Sequence, residues 1–280
     1  MAQLQDLSRS LLAAGGAMHP EGKGTYLLYT DDDSLIYKLW TGTEFDESDL
    51  IATSIRTGSP ASYLLTDDIR LVVCITSDNT VRVLRYDKDE EEWTDDDTIP
   101  RYEVHSAGQL AACLGVDGRL NTFFQDTSGR LIFLDESWNP TVLPTDVQIG
   151  SPIALTIVEK KEDAHLYVFY MSKDNRVHFV AQDDTGSWSD STMVNCQVEE
   201  KVVRFRVALN EQMDAFEAYA LTDGRTVLQI TGKGDGQKNE LGKIDQDGVF
   251  VPGTSAECAA YVWVKVKVVY KYVRVRYCCW

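Results

Sequence analysis

Gly108 to Pro144 reads GQLAACLGVDGRLNTFFQDTSGRLIFLDESWNPTVLP, and four short strands follow one another in it. Gln109–Val116 is the first, closed by Asp117–Gly118, and Arg119–Asp126 is the second, closed by Ser128–Gly129. Arg130–Leu134 is the third, and Pro140–Pro144 is the fourth, after Trp138. Short turns carrying Gly or Asn between runs of β-branched and aromatic residues are a strong hairpin signal. A small four-stranded meander cannot bury both of its faces alone, so it needs copies of itself.

The copies are legible on both sides. A turn before the third strand recurs at Asp33–Ser34, Asp78–Asn79, Ser128–Gly129, Asp174–Asn175 and Asp223–Gly224, its second residues 45, 50, 46 and 49 apart. A tryptophan recurs at Trp93, Trp138 and Trp188, spaced 45 and 50. Four strands per period of this length indicate an all-β propeller of antiparallel blades. Dividing 280 residues by the period gives about six blades around a central channel. A single domain over 1–280 is expected, with blades near 7–55, 56–104, 105–147, 148–198, 199–252 and an atypical sixth at 253–280. Leu7–Ala17 reads as the innermost strand of the first blade. GKGDGQKNELG reads as a polar loop standing where blade five lacks its Trp turn.

Composition narrows the function. A formal charge of −17 argues against nucleic acid, whose phosphates need a basic surface. The acidic run DKDEEEWTDDD, Asp87–Asp97, reads as a solvated blade edge. No run of apolar residues is long enough for a membrane helix, and Leu11–Ala17 lacks the features of a cleaved leader. Six cysteines at 74, 113, 196, 258, 278 and 279 form no metal-ligand spacing, and Cys74 and Cys113 sit in apolar strands. A cytoplasmic setting is expected. The tail AAYVWVKVKVVYKYVRVRYCCW alternates in apolar and basic residues and carries five basic side chains, as one or two strands of blade six would, or as an altered terminus.

Motifs of known chemistry are missing. There is no phosphate loop, no HExxH and no GxSxG elbow, and the four histidines are scattered. His178 in RVHFVAQ reads as a packed strand residue, and Asp245–Gly248 as a turn rather than a calcium loop. Neither a metal nor a cofactor is expected.

Aligned by its turns, the chain resembles the fungal fucose-specific lectins over residues 10–255, on units such as IRLVVCITSDNTVRVLRYDKDEEEW and LNTFFQDTSGRLIFLDESW. The resemblance implies a six-bladed propeller with sugar sites between blades, each using a second-strand Arg, a third-strand Glu and a nearby aromatic. Here the second-strand position holds Tyr26, Arg70, Asn121, Tyr167 and Glu217. The third-strand position holds Tyr37, Val83, Phe133, Phe179 and Leu228. With no Glu at the third-strand positions and a single Arg at the second-strand ones, these positions no longer suit a fucose.

What replaces the sugar residues is mostly aromatic. Tyr26 with Tyr37, and Tyr167 with Phe179, should share faces and suit an apolar or conjugated ligand, though inter-blade core would look the same. The chain also resembles the lectin-fold hetero-Diels–Alderases of fungal secondary metabolism, by its propeller pattern, lost sugar triad and absent leader. That resemblance implies a cofactor-free cycloaddition of a tropolone-derived quinone methide to a terpene alkene. The expected catalytic residues are then Arg70, Tyr167 and Glu217, with Tyr26, Tyr37, Asn121, Phe133 and Phe179 on the ligand. The partner is a small molecule, with a homodimer as the assembly allowed for. A lectin with altered sugar sites and a protein-binding scaffold are the competing readings. Arg70, on an otherwise apolar strand, needs either a carboxylate of a neighbouring blade or a polar ligand.

Overall fold

Leu4, Leu7 and Leu11 recur at helical spacing and are all fully buried, and in the computed structural model Ala2–Leu12 is a helix, α1. The strand expected over Leu7–Ala17 is therefore corrected: only Gly15–Met18, β1, pairs with the sheet that follows. The structure describes residues 2–253, apart from 116–117, 161–162, 184, 194–196, 211–213 and 233–235. The expected sixth blade and the basic tail lie outside the described residues.

The described residues fall into two compact units, 13–142 and 2–12 with 143–253. The first holds three antiparallel sheets. Blade one is β1, β2 (Thr25–Asp31), β3 (Ser34–Trp40) and β4 (Phe45–Ala52). Blade two is β5 (Ser62–Leu65), β6 (Arg70–Ile75), β7 (Val81–Asp87) and β8 (Glu92–Asp95). Blade three is β9 (Leu110–Leu114), β10 (Leu120–Gln125), β11 (Leu131–Leu134) and β12 (Pro140–Val142), all within two residues of the boundaries read from sequence. The innermost strands β1, β5 and β9 neighbour one another, so the sheets stack face to face. Apolar residues of each facing pair fill the space between, Leu28, Tyr37, Tyr63 and Val72 for blades one and two. Leu71, Val73, Leu120 and Phe124 do so for blades two and three.

Arg56, in the link after blade one, ties this stack together. Its guanidinium donates to Asn79 Oδ1 at 3.0 Å, to the carbonyls of His105 at 3.0 Å and Ser106 at 3.1 Å, and to that of Gly108. The acidic run at Asp87–Asp97 is largely exposed as expected, and Asp95 and Asp96 pair with Arg82 and Arg85.

The second unit holds blade four, β13 (Ala154–Lys160), β14 (Asp163–Met171), β15 (Val177–Gln182) and β16 (Trp188–Thr192). Blade five has five strands, β17 (Val202–Leu209), β18 (Phe216–Thr222), β19 (Thr226–Thr231), β20 (Gln237–Ile244) and β21 (Phe250–Pro252). The polar stretch read as a loop thus supplies part of β20. Helix α1 packs on β17 and β21. Gln5 donates to the Gly248 carbonyl at 2.9 Å and accepts from the Phe250 amide at 2.8 Å.

The turns between second and third strands are five residues long in blades two to five, not two, and the fourth residue is left-handed. That residue is Asn79, Gly129, Asn175 and Arg225, at φ 61°, 77°, 59° and 64°. In blade five it is Arg225, one place past Gly224, which is where the sequence alignment slipped.

Candidate functional site between blades one and two

Counted from the left-handed turn residue, Asn121, Tyr167 and Glu217 stand eight places before it, and Phe133 and Phe179 four places after it. The same count selects Leu71, not Arg70, and Gln229, not Leu228. Two expected positions are therefore corrected by one residue, and in a strand one residue changes the face. Arg70 is no counterpart of Tyr26. It stands on the opposite face of its blade and meets Tyr26 across the inter-blade space.

That space is a cage of rings. The Arg70 Cζ lies 4.2 Å from the centroid of Tyr86, 5.2 Å from Trp93, 5.3 Å from Tyr37, 5.8 Å from Tyr63 and 5.9 Å from Tyr26. One residue comes from each of β2, β3, β5, β7 and β8, so strand alternation alone brings all five rings to one side. The guanidinium is held by their negative faces, an arrangement worth about 0.5–2 kcal/mol per close pair. Tyr26 meets Tyr37 edge-on at 5.3 Å, as their shared face required, and His19 stacks on Tyr26 at 5.5 Å.

Arg70 Nε donates to Tyr63 Oη at 2.6 Å, and the Tyr37 hydroxyl donates to Glu47 Oε1 at 2.5 Å. Burial, then the Glu47 carboxylate, pushes the Tyr37 phenol up to about 12, against the pull of Arg70. Burial also raises Tyr63, which is fully enclosed. Burial works against the charge of Arg70, yet the Tyr63 and Tyr37 oxygens raise its pKa overall. No carboxylate among the described residues lies within the 4.0 Å of an ion pair with Arg70, so of the two partners the sequence left open the carboxylate is not found there. Two buried donors in the cage, Arg70 Nη2 and Trp93 Nε1, have no hydrogen-bond partner.

The second unit gathers another set of rings. Tyr167 lies 4.9 Å from Phe216, 5.6 Å from Phe179 and 6.5 Å from Phe169. Burial raises the Tyr167 phenol. Glu217 projects from the other face of β18, so it shares no site with Tyr167. Its Oε2 accepts from the Tyr219 hydroxyl at 3.2 Å, and Gln229 bonds to it as well. Burial raises its pKa, and these two bonds pull the other way. In blade three, Asn121 turns back to the Arg119 carbonyl at 3.3 Å, and Phe133 stacks on Phe123 at 5.1 Å on the same face. His178 bonds Asp190 at 3.1 Å beside Tyr170, which also donates to Asp190. Among the described residues no cluster of His, Cys, Asp and Glu could hold a metal ion.

Tyr63, Tyr86, Trp93, Tyr219 and Gln229 were missed by sequence reasoning. The recurring Trp93 was read as a repeat marker, and its place after β7 was the available signal.

No family model matches the chain, and no curated protein is recognisably similar to it. Solved structures are. AofleA from Arthrobotrys oligospora superposes with a TM-score of 0.66 at 14% identity, over 85% of this chain and 74% of that one. The lectin SapL1, solved with α-methyl fucoside, gives 0.59 at 14%, over 80% and 78%. The Aleuria aurantia lectin, described as a six-bladed β-propeller with a novel fucose recognition mode, gives 0.57 at 13%, over 82% and 75%. The fold is a β-propeller. Five blades lie among the described residues, where the sequence period led to six. The expected likeness to fungal fucose-specific lectins is met at the level of fold.

Proposed function

We propose that this propeller binds a small conjugated molecule beside Arg70 and catalyses, without a cofactor, a hetero-Diels–Alder joining of a tropolone-derived quinone methide to a terpene alkene. The observation that carries the reading is a guanidinium wrapped by five aromatic rings, with no carboxylate partner among the described residues and its Nη2 buried and unpaired. Arg70 would hold the paired oxygens of the diene component, because its planar fork matches two acceptors. Withdrawing electron density from those oxygens lowers the energy of the heterodiene and speeds cycloaddition. The ring walls would seat the apolar alkene against it, and orientation of two reactants can replace several kcal/mol of barrier. The phenol of Tyr26 lines the same wall and would supply the proton that carries away water when the quinone methide forms. The reading takes the chain as one propeller domain working in the cytoplasm, with the Tyr167 and Phe179 rings as a separate apolar wall of their own blade.

The test is direct. Purified protein is mixed with a quinone-methide precursor and humulene, and adduct is followed by chromatography against the uncatalysed background. Adduct no faster than background, in protein shown to be folded, refutes it.

A second reading has its own support. Glu217, Tyr219 and Gln229 place a buried polar cluster at the second- and third-strand positions of blade five. The lectin neighbours solved with fucosides make a hydroxyl-bearing ligand at that face the alternative function. A glycan array read with wild type and Glu217→Ala decides it, and no signal on any glycan removes it.

A further inference from the structure

Two of the polar atoms that the Arg70 cage leaves open can only donate. Nε is spent on Tyr63, and the Tyr37 hydroxyl is spent on Glu47. Arg70 Nη2 and Trp93 Nε1 remain, both buried and both without a partner. A buried N–H left unpaired costs about 1–3 kcal/mol, and two in one cage ask for an explanation. Both belong to one cage, with the guanidinium carbon 5.2 Å from the Trp93 ring centre. Neither an arginine nor an indole nitrogen can accept a hydrogen bond, so only acceptors complete the cage. The charge argues in the same direction. The ring faces compensate the guanidinium only partly, and no carboxylate of the described residues pairs with it.

We propose that the ligand of this cage is a flat conjugated oxyanion whose two neighbouring oxygens are taken by Arg70 Nη2 and Trp93 Nε1. This rests on the reading that the cage is the ligand site, and it narrows that ligand from any conjugated molecule to an ionised one. The anion class includes tropolonates, enolates of β-dicarbonyls and aryl carboxylates. Neutral ligands are disfavoured, because they leave the guanidinium charge without a counter-charge. Trp93 becomes a specificity residue: its ring walls the site, and its N–H tells an anion from the neutral ether of the same shape. Tyr86 and Trp93 lie 5.3 Å apart and both are half-buried, so they form the rim past which the ligand enters.

Calorimetric titration of the full chain tests this with tropolonate and benzoate, and with their neutral partners 2-methoxytropone and methyl benzoate, at mildly alkaline pH. The anions should bind, and the neutral partners should bind at least about tenfold more weakly, the worth of one hydrogen bond to a charged group. Trp93→Phe keeps a ring in place and should weaken the anions about tenfold while leaving the neutral partners unchanged. Arg70→Lys should abolish the preference for two adjacent oxygens. Equal binding of anion and neutral partner, in wild type and Trp93→Phe alike, overturns the oxyanion inference and leaves the cage as a ligand site. No binding of any of the four overturns both, with solvent as the occupant of the two donors.

Discussion

Replacing Arg70 by Lys keeps the positive charge and removes the fork, and the structure fixes what is lost. The 2.6 Å bond from Nε to the Tyr63 hydroxyl disappears, and Tyr63 is 0% exposed, so its oxygen cannot turn to water instead. Losing a buried hydrogen bond to a charged group costs about 1.5–3 kcal/mol. A compact ammonium also loses the planar stacking over Tyr86 at 4.2 Å, about another 0.5–1 kcal/mol. The expected destabilisation is about 2–3 kcal/mol, read as a lower urea midpoint at an unchanged slope. Tyr63→Phe removes the same hydrogen bond from its other end. The double variant should therefore fall short of the sum of the singles by about 1–2 kcal/mol. Additivity within about 0.5 kcal/mol would refute the claim that this bond holds the guanidinium in place. Turnover per folded molecule, measured on the same samples, separates the two roles of Arg70. A destabilised Lys variant with unchanged turnover removes Arg70 from catalysis and leaves it as the centre of a packed cage.

Arg56→Met should lower stability by about 2–3 kcal/mol, because one guanidinium serves three backbone carbonyls and Asn79 in linked segments; an unchanged urea midpoint contradicts this. Arg225→Gly should stabilise by about 1 kcal/mol, since φ of 64° suits glycine and strains any L side chain; a lower midpoint would mean that the Arg225 side chain contributes more than its backbone costs. Burial raises the Glu217 pKa, so the protonated form is the one that favours folding. Its contribution is complete below the ordinary pKa of about 4.3 and is lost as pH rises through the raised value. Glu217→Gln should therefore raise the urea midpoint at neutral pH and change it little in acid, and a gain independent of pH speaks against a buried titrating carboxyl.

Blade three was readable almost to the residue because its signals are local. Alternation of apolar side chains defines a strand wherever one face is buried, and Asn or Gly marks the turn that closes it. The repeat of that pattern carried the fold class, the aromatic character of the inter-blade positions, and the shared face of Tyr26 and Tyr37. Helix α1 was equally local, in Leu4, Leu7 and Leu11, but too short to stand out beside the strand pattern after it. What only the tertiary structure decided was which side of each blade a residue occupies. Arg225 rather than Gly224 takes the left-handed turn position, and Arg70 precedes the aligned position by one place. A strand's side chains alternate with a period of two, so a slip of one residue leaves the strand intact and sends Arg70 to a different neighbour. Its cage then draws on two blades, with Tyr26 and Tyr63 distant in sequence and 5.5 Å apart in space. Strand identity follows from the chain's own periodicity. Facing follows from which sheet lies against which, and no single stretch of sequence contains that.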